Sequence, residues 1–83
     1  MLINKDSVID LLLTLKEKEI IDNFEIHDYL YIINIKATLK INNSRYGTSI
    51  DITPFMEWRE FKCVLCNELT RLYHTHLNSL LHI

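Results

Sequence analysis

The sequence predicts one small α+β domain, in which an antiparallel β-hairpin is packed on one face by a short N-terminal helix and a long C-terminal helix. Two patterns lead to this α-β-β-α order. Apolar residues recur with a helical period near both ends of the chain, and they alternate with a period of two in the middle. With 83 residues, of which 48% are hydrophobic and 24% charged, residues 1–83 should form a single domain around one core.

The first helix is expected over residues 8–21. Ser7, followed three positions later by Asp10, resembles a capping box in which aspartate takes the place usually held by Glu or Gln. The apolar residues of this helix cover about 200° of its circumference, which is wider than the stripe needed for packing on one side. We therefore expect neighbours on two sides of the helix.

A β-hairpin is expected to follow the first helix. From residue 29 to residue 41 apolar side chains occupy every second position, and residues 42–45 have the composition of a turn. The predicted register places Ile41 opposite Tyr46 and puts the apolar residues of both strands on one face. Residues 24–27 are expected to be a short extended piece before the hairpin.

A long helix is predicted from residue 55 to about residue 80, with Thr53 as its N-cap and Pro54 at its first position. Such a helix would measure about 39 Å, which is more than one hairpin and a short helix can cover. We therefore expect either a break near Asn67 or residues 74–76, or packing against a second chain. The predicted core stripe consists of Trp58, Phe61, Leu65, Leu69, Leu72, His76 and Leu80, with Phe55, Cys66 and Tyr73 along its flank.

Self-association into a homodimer is predicted, either through a thinner apolar stripe on the far side of the same helix or through the edge of the sheet. The members of the stripe recur mainly at a spacing of seven residues, which keeps them on one side of a helix. They are Met56, Cys63, Thr70, Leu77 and Leu81.

Charge and hydropathy exclude several functional classes. Nine basic and eleven acidic residues give a net charge of −2, which argues against a dedicated nucleic-acid binder. No segment has the pattern of a signal peptide or the roughly 18 to 20 apolar residues of a membrane helix. A cytoplasmic location without membrane association is expected, and there Cys63 and Cys66 should stay reduced.

The Cys63 and Cys66 pair has the C-x-x-C spacing of a zinc or thiol site, and His74 follows it. On a continuous helix His74 would lie about 16 Å along the axis from Cys63, which is too far for one zinc coordination sphere. These three residues remain the candidates for a metal site, but the prediction is that no metal is bound and that the cysteines are small buried hydrophobes.

The outward face of the hairpin is the predicted partner-binding surface. It combines apolar side chains at the start of the first strand, which require a cover, with a weakly basic remainder. The predicted partner-binding residues are Leu30, Ile32, Asn34, Lys36, Lys40 and Arg45. The three tyrosines of the hairpin are binding hot spots if they are exposed and core residues if they are buried. An acidic docking surface is a further possibility, formed by Glu17, Glu19, Asp22, Glu25 and Asp28.

The predicted function is that of a non-catalytic protein-interaction module, such as a small inhibitor, adaptor or immunity-type protein, that binds a larger partner as a homodimer. A single glycine leaves no phosphate loop or tight backbone cradle, so neither an enzyme nor a cofactor is expected. The alternative is a dimeric nucleic-acid-binding regulator that uses Lys36, Lys40 and Arg45. The bias toward Ile, Asn and Lys is typical of AT-rich genomes, including those of phages and mobile elements.

Overall fold

Five secondary-structure elements follow one another along the chain, in the order α-β-β-β-α. The computed structural model describes the backbone of residues 2–81 and the side chains of residues 2–75. The elements are α1 (Lys5–Glu17), β1 (Asn23–Asp28), β2 (Ile33–Ile41), β3 (Ser44–Ile52) and α2 (Trp58–Leu81). The predicted α+β class is confirmed, but the sheet has three strands because the extended piece before the hairpin is itself a paired strand.

Helix α1 begins and ends earlier than predicted. Its N-cap is Asn4, whose side-chain oxygen accepts hydrogen bonds from the backbone N–H groups of Asp6 and Ser7 at 2.8 and 3.4 Å. The predicted cap, Ser7, therefore lies inside the first turn. At the other end Glu19 adopts a left-handed conformation with φ of 61°, and the N–H of Ile20 bonds to the Leu15 carbonyl at 2.9 Å. This Schellman ending stops the helix without a glycine.

The three strands form an antiparallel sheet in the order β1-β2-β3. Along β2 every second residue, from Ile33 to Ile41, is buried, and the residues between them are exposed or half-buried. One face of the sheet is therefore apolar and covered by the helices, and the other is polar and open.

The turn between β2 and β3 is tighter than predicted. Asn42 and Asn43 both have positive φ, at 50° and 69°, which is the type I′ turn that suits a two-residue hairpin loop. Ile41 therefore pairs with Ser44, and the predicted pairing of Ile41 with Tyr46 is wrong by two residues. Because side chains alternate with a period of two, an even shift leaves the same residues on the apolar face.

The core is formed by the apolar sheet face and by one stripe from each helix. In α1, Val8 and Leu12 are completely buried. The predicted core stripe of α2 is confirmed within the described side chains, since Phe61, Leu65, Leu69 and Leu72 are buried and Trp58 is half-buried. Its remaining members, His76 and Leu80, lie outside the described side chains, and the predicted flanking residues Phe55, Cys66 and Tyr73 are exposed.

Helix α2 begins at Trp58 and not at residue 55, because Thr53 and Pro54 belong to a turn closed by the N–H of Met56 and the Thr53 carbonyl at 3.2 Å. From there it is continuous to Leu81, without the break that was one of the two expectations. Its 24 residues explain the elongated shape, which measures 43 by 20 by 20 Å. Within residues 2–81, neither helix combines the length and the apolar character needed to cross a membrane.

Candidate interaction surfaces

Four consecutive large apolar or aromatic side chains are exposed in the loop that joins β1 to β2. The exposed fractions are 61% for Tyr29, 82% for Leu30, 72% for Tyr31 and 43% for Ile32. A hydrogen bond of 2.9 Å from the N–H of Tyr29 to the Ile32 carbonyl closes the loop. The side chains therefore project from a short, closed hairpin loop. The backbone of this loop can adopt fewer conformations than that of a flexible tail.

Two further exposed apolar side chains lie at the same end of the molecule. Ile52, the last residue of β3, pairs with Ile33, the first residue of β2, so the turn after β3 lies beside the loop before β2. This turn carries Phe55, which is 76% exposed. The N-terminal segment joins it through a bridge between Leu2, which is 50% exposed, and Glu57. We call this surface the apolar end; it consists of Leu2, Tyr29, Leu30, Tyr31, Ile32 and Phe55.

The apolar end differs from the surface that the sequence predicts. Leu30 and Ile32 were expected on the outward face of a strand, but they lie in the loop that joins β1 to β2 at one end of the sheet. Tyr29 and Tyr31 are exposed, whereas Tyr46 is half-buried and packs against the core. Phe55 was expected beside the core stripe, and Leu2 carried no sequence signal. The predicted partner-binding residues are thus divided between two surfaces.

The other four predicted partner-binding residues lie on the open face of the sheet. Asn34 donates hydrogen bonds to the Ser49 hydroxyl at 2.8 Å and to the Asp51 carboxylate at 2.7 Å. Lys36 and Lys40 are exposed on β2, and Lys40 stands opposite Arg45 of β3. A shallow groove of about 710 Å³ crosses this face where Gly47 carries no side chain.

The open face is balanced in charge rather than basic. Arg45 forms an ion pair with Asp22 at 3.1 Å, and Lys36 stands directly opposite Glu25 of β1. Lys40 and Asp51 bring the total on this face to three basic and three acidic side chains. Six positive groups on a dimer face, as the nucleic-acid alternative requires, would therefore be offset by six negative ones.

The predicted acidic docking surface is also divided by ion pairs. Asp22 is paired with Arg45, and the Asp28 carboxylate lies 3.3 Å from the Lys5 ammonium. Glu25 lies 3.2 Å from the His27 ring. The other two predicted members, Glu17 and Glu19, are exposed at and just beyond the end of α1.

Both cysteines are exposed, which corrects the expectation that they are buried. They lie on the outward side of α2 with Thr70, whereas Met56 packs against the core before the helix begins. Among the described side chains, no three His, Cys, Asp or Glu residues come together in a way that could hold a metal ion. The remaining members of the predicted self-association stripe, Leu77 and Leu81, have side chains outside the described part, and His74 contacts the Tyr73 ring edge-on.

One polar cluster links α2 to the centre of β3. The Thr48 hydroxyl donates to the Glu68 carboxylate at 2.8 Å, and the Arg71 guanidinium donates to the same carboxylate through Nη2 and through Nε, the latter at 3.3 Å. The hydrogen bond from Arg71, followed by that from Thr48, lowers the pKa of Glu68 below its ordinary value of 4.5.

The depressed pKa of Glu68 predicts a contribution to stability that depends on pH. A carboxyl group with a lower pKa in the folded state stabilises the fold above its unfolded pKa, and this contribution is lost as the pH falls through the folded pKa. The Glu68→Gln variant should therefore be less stable than the parent at neutral pH, and the two should converge below pH 4.5. Urea unfolding at a series of pH values measures this difference; a constant difference down to strong acid would contradict it.

Comparison of the chain with protein-family models, with curated proteins and with solved structures finds no match. The inference about function therefore depends on the surfaces described above.

Proposed function

We propose that this chain is a non-catalytic protein-binding module that acts in the cytoplasm, as a homodimer, by docking its apolar end on a larger partner protein. Small inhibitors, adaptors and immunity-type proteins act in this way. The observation that carries the proposal is the loop of residues 29–32, in which four large side chains in succession are at least 43% exposed.

Exposed apolar surface of this kind has a cost in water, and contiguous patches on small proteins commonly mark binding sites. Tyr29 and Tyr31 are of the residue type that dominates binding energy in interfaces, because tyrosine offers a large apolar ring with a polar hydroxyl. Phe55 and Leu2 extend the surface from a loop tip to an area formed by three segments. A concave apolar pocket on the partner, receiving Leu30 and Tyr31, is the complementary shape.

The Leu30→Asp variant tests the proposal. Leu30 is 82% exposed, so the change should alter the free energy of unfolding by no more than about 0.5 kcal/mol, while placing a charge within the apolar end. A purified partner, first identified by affinity capture and mass spectrometry, should bind the variant at least about tenfold more weakly than the parent. Lys36→Asp, on the open face, is the matched control and should bind as the parent does.

Isothermal titration calorimetry with the purified partner gives both dissociation constants, and circular dichroism confirms that each variant is folded. A partner that binds the Leu30→Asp variant as tightly as the parent, but loses affinity for the Lys36→Asp variant, would transfer the binding site to the open face. A capture experiment in which the parent and the Leu30→Asp variant retain the same proteins would contradict the proposal.

A further inference from the structure

We infer that two copies of this chain associate through the outer edges of their β3 strands, in antiparallel register centred on Thr48, to form one continuous six-stranded sheet. This inference supplies a geometry for the homodimer in the proposed function. It uses none of the residues of the apolar end, so the dimer contact and the docking of the apolar end on a partner can each fail without the other.

The outer edge of β3 is long and open. Within the described residues, β3 is the last strand of the sheet, and its nine residues pair only with β2. Because Ile41 and Ser44 flank a two-residue loop, their backbone groups point toward each other. Alternation along the strand then directs the backbone N–H and C=O groups of four residues away from β2 and toward the edge. These residues are Arg45, Gly47, Ser49 and Asp51, and all four are exposed.

The sequence of β3 complements itself when two copies run antiparallel about Thr48. Arg45 and Asp51 are three positions from Thr48 on either side, so Arg45 of each copy stands opposite Asp51 of the other. Gly47 stands opposite Ser49 in the same way. These are the residues whose backbone groups point to the edge, so the register also forms hydrogen-bonded pairs. Cross-strand pairs of opposite charge stabilise a sheet, whereas like charges oppose pairing.

The apolar face of the same register is also complementary. Tyr46 and Ile50 lie two positions on either side of Thr48, so Tyr46 of each copy stands opposite Ile50 of the other. An aromatic side chain beside a β-branched one is a favourable cross-strand pair. Arg45 and Asp51 already have neighbours in the monomer, Asp22 and Asn34. The Arg45 side chain is 71% exposed, so its ion pair with Asp22 is weak. Its guanidinium can therefore also contact the Asp51 carboxylate of the other copy.

Helix α2 adds a second layer to this contact. One side of α2 reaches Thr48 through Glu68, whereas the opposite side, with Tyr73 and His74, lines a groove beside Leu39 of β2. The Glu68 side therefore faces the edge of the sheet. It also carries Arg71 and Val64, which is 38% exposed, and a partner helix placed by the two-fold axis would cover both.

The other edge of the sheet is less suited to self-pairing. Strand β1 has six residues instead of nine. It carries two acidic groups, Glu25 and Asp28, whose only basic companion on the strand is His27. Two copies of β1 would bring four carboxylates together with no lysine or arginine on either strand, and an excess of one charge is a means by which natural sheets prevent edge pairing. The β3 edge lacks both lysine and proline, the usual guards against it.

Charge reversal tests the contact. Light scattering coupled to size exclusion, at micromolar protein, should give twice the chain mass of 9.9 kDa for the parent. Arg45→Asp and Asp51→Arg should each weaken the dimer at least about tenfold, because each creates two pairs of like charge. The double variant with both changes should recover the parent mass, whereas Lys36→Asp and Leu30→Asp should remain dimeric throughout.

Cysteine cross-linking tests the register. In a background with Cys63→Ser and Cys66→Ser, single cysteines are placed at positions 47, 48 and 49 and oxidised. Only residue 48 stands opposite its own copy, at about 4.5 Å between Cα atoms, within disulfide reach; residues 47 and 49 lie about 7 to 8 Å from theirs. Thr48→Cys should therefore give the most covalent dimer. A parent that stays monomeric, a dimer unaffected by both charge reversals, or stronger cross-linking at 47 or 49 would overturn the inference.

Antiparallel pairing also determines where the partner surfaces lie. The apolar end adjoins Ile52, and in this register Ile52 of one copy stands beside Ser44 of the other. The two apolar ends therefore lie at opposite ends of the six-stranded sheet, free of the contact between copies. A dimer of this form presents two separate docking surfaces and could bridge two partner molecules.

Discussion

The Ile35→Asp variant is expected to be unfolded at neutral pH. Ile35 is completely buried at the centre of β2, between Ile26 of β1 and Ile50 of β3. An unpaired carboxylate at this position costs about 3 to 5 kcal/mol in addition to the lost apolar contacts. A domain of this size has a total stability of about 4 to 12 kcal/mol, so most or all of it should disappear.

The neighbouring change Lys36→Asp is the matched control, because it introduces the same side chain one residue later on the same strand. Lys36 points to the open face and is exposed, so Lys36→Asp buries no charge; the new carboxylate opposite Glu25 should lower the free energy of unfolding by about 1 kcal/mol at most, which leaves the domain folded. Far-ultraviolet circular dichroism and urea titration distinguish the two variants. A native spectrum with cooperative unfolding for Ile35→Asp would contradict the assignment of the two faces of the sheet.

The Phe61→Ala variant should lose about 3 to 5 kcal/mol of stability, as is usual when a buried phenylalanine is truncated. Phe61 is the largest completely buried side chain of the described core, and its ring centroid lies 5.4 Å from that of Trp58. It anchors the first turns of α2 to the sheet. Urea unfolding monitored by circular dichroism should therefore show a lower midpoint with a similar slope.

Phe55→Ala makes the same chemical change six positions earlier and should have the opposite profile. Phe55 is 76% exposed, so its truncation should alter stability by about 0.5 kcal/mol or less but weaken binding through the apolar end. Equal destabilisation by both variants would mean that residues 53–57 pack into the core, and it would remove Phe55 from the binding surface.

Hydropathy periods were sufficient to predict the apolar face of β2 and the central core stripe of α2. The alternation along residues 33–41 and the helical stripe through Phe61, Leu65 and Leu69 identify buried faces correctly. They remain correct even though the hairpin register was wrong by two residues, because a shift of two preserves the face of every side chain. The period therefore carries more information about burial than about exact pairing.

The ends of the helices depend on contacts that local sequence does not contain. Asn4 and Ser7 are both good N-cap residues. Asn4 takes the role because the preceding segment is held against the turn before α2, where the N–H of Ile3 bonds to the Met56 carbonyl at 3.0 Å. The other end of α1 is a left-handed Glu19, a conformation that sequence patterns assign to glycine or asparagine.

The candidate binding surface was the part least visible in the sequence. Residues 29–32 continue the alternation of β2, and the pattern therefore predicts a longer strand. They form a loop because β2 runs back antiparallel to β1, with Ile33 opposite Asp28. The chain must therefore reverse its direction within the four residues between these two. The apolar side chains that the pattern assigned to a sheet face are exposed at the end of the molecule as a result.

The fold class, the buried and exposed faces of the central strands and the core stripe of α2 can all be predicted from the amino-acid order, because they follow from the periods of two and 3.6 residues. The third strand, the register and the separation of the predicted site into an apolar end and a charge-balanced open face emerge only in the folded chain. Pairing between strands, and ion pairs such as Arg45 with Asp22, join residues that are distant in sequence, so no local pattern contains their energies.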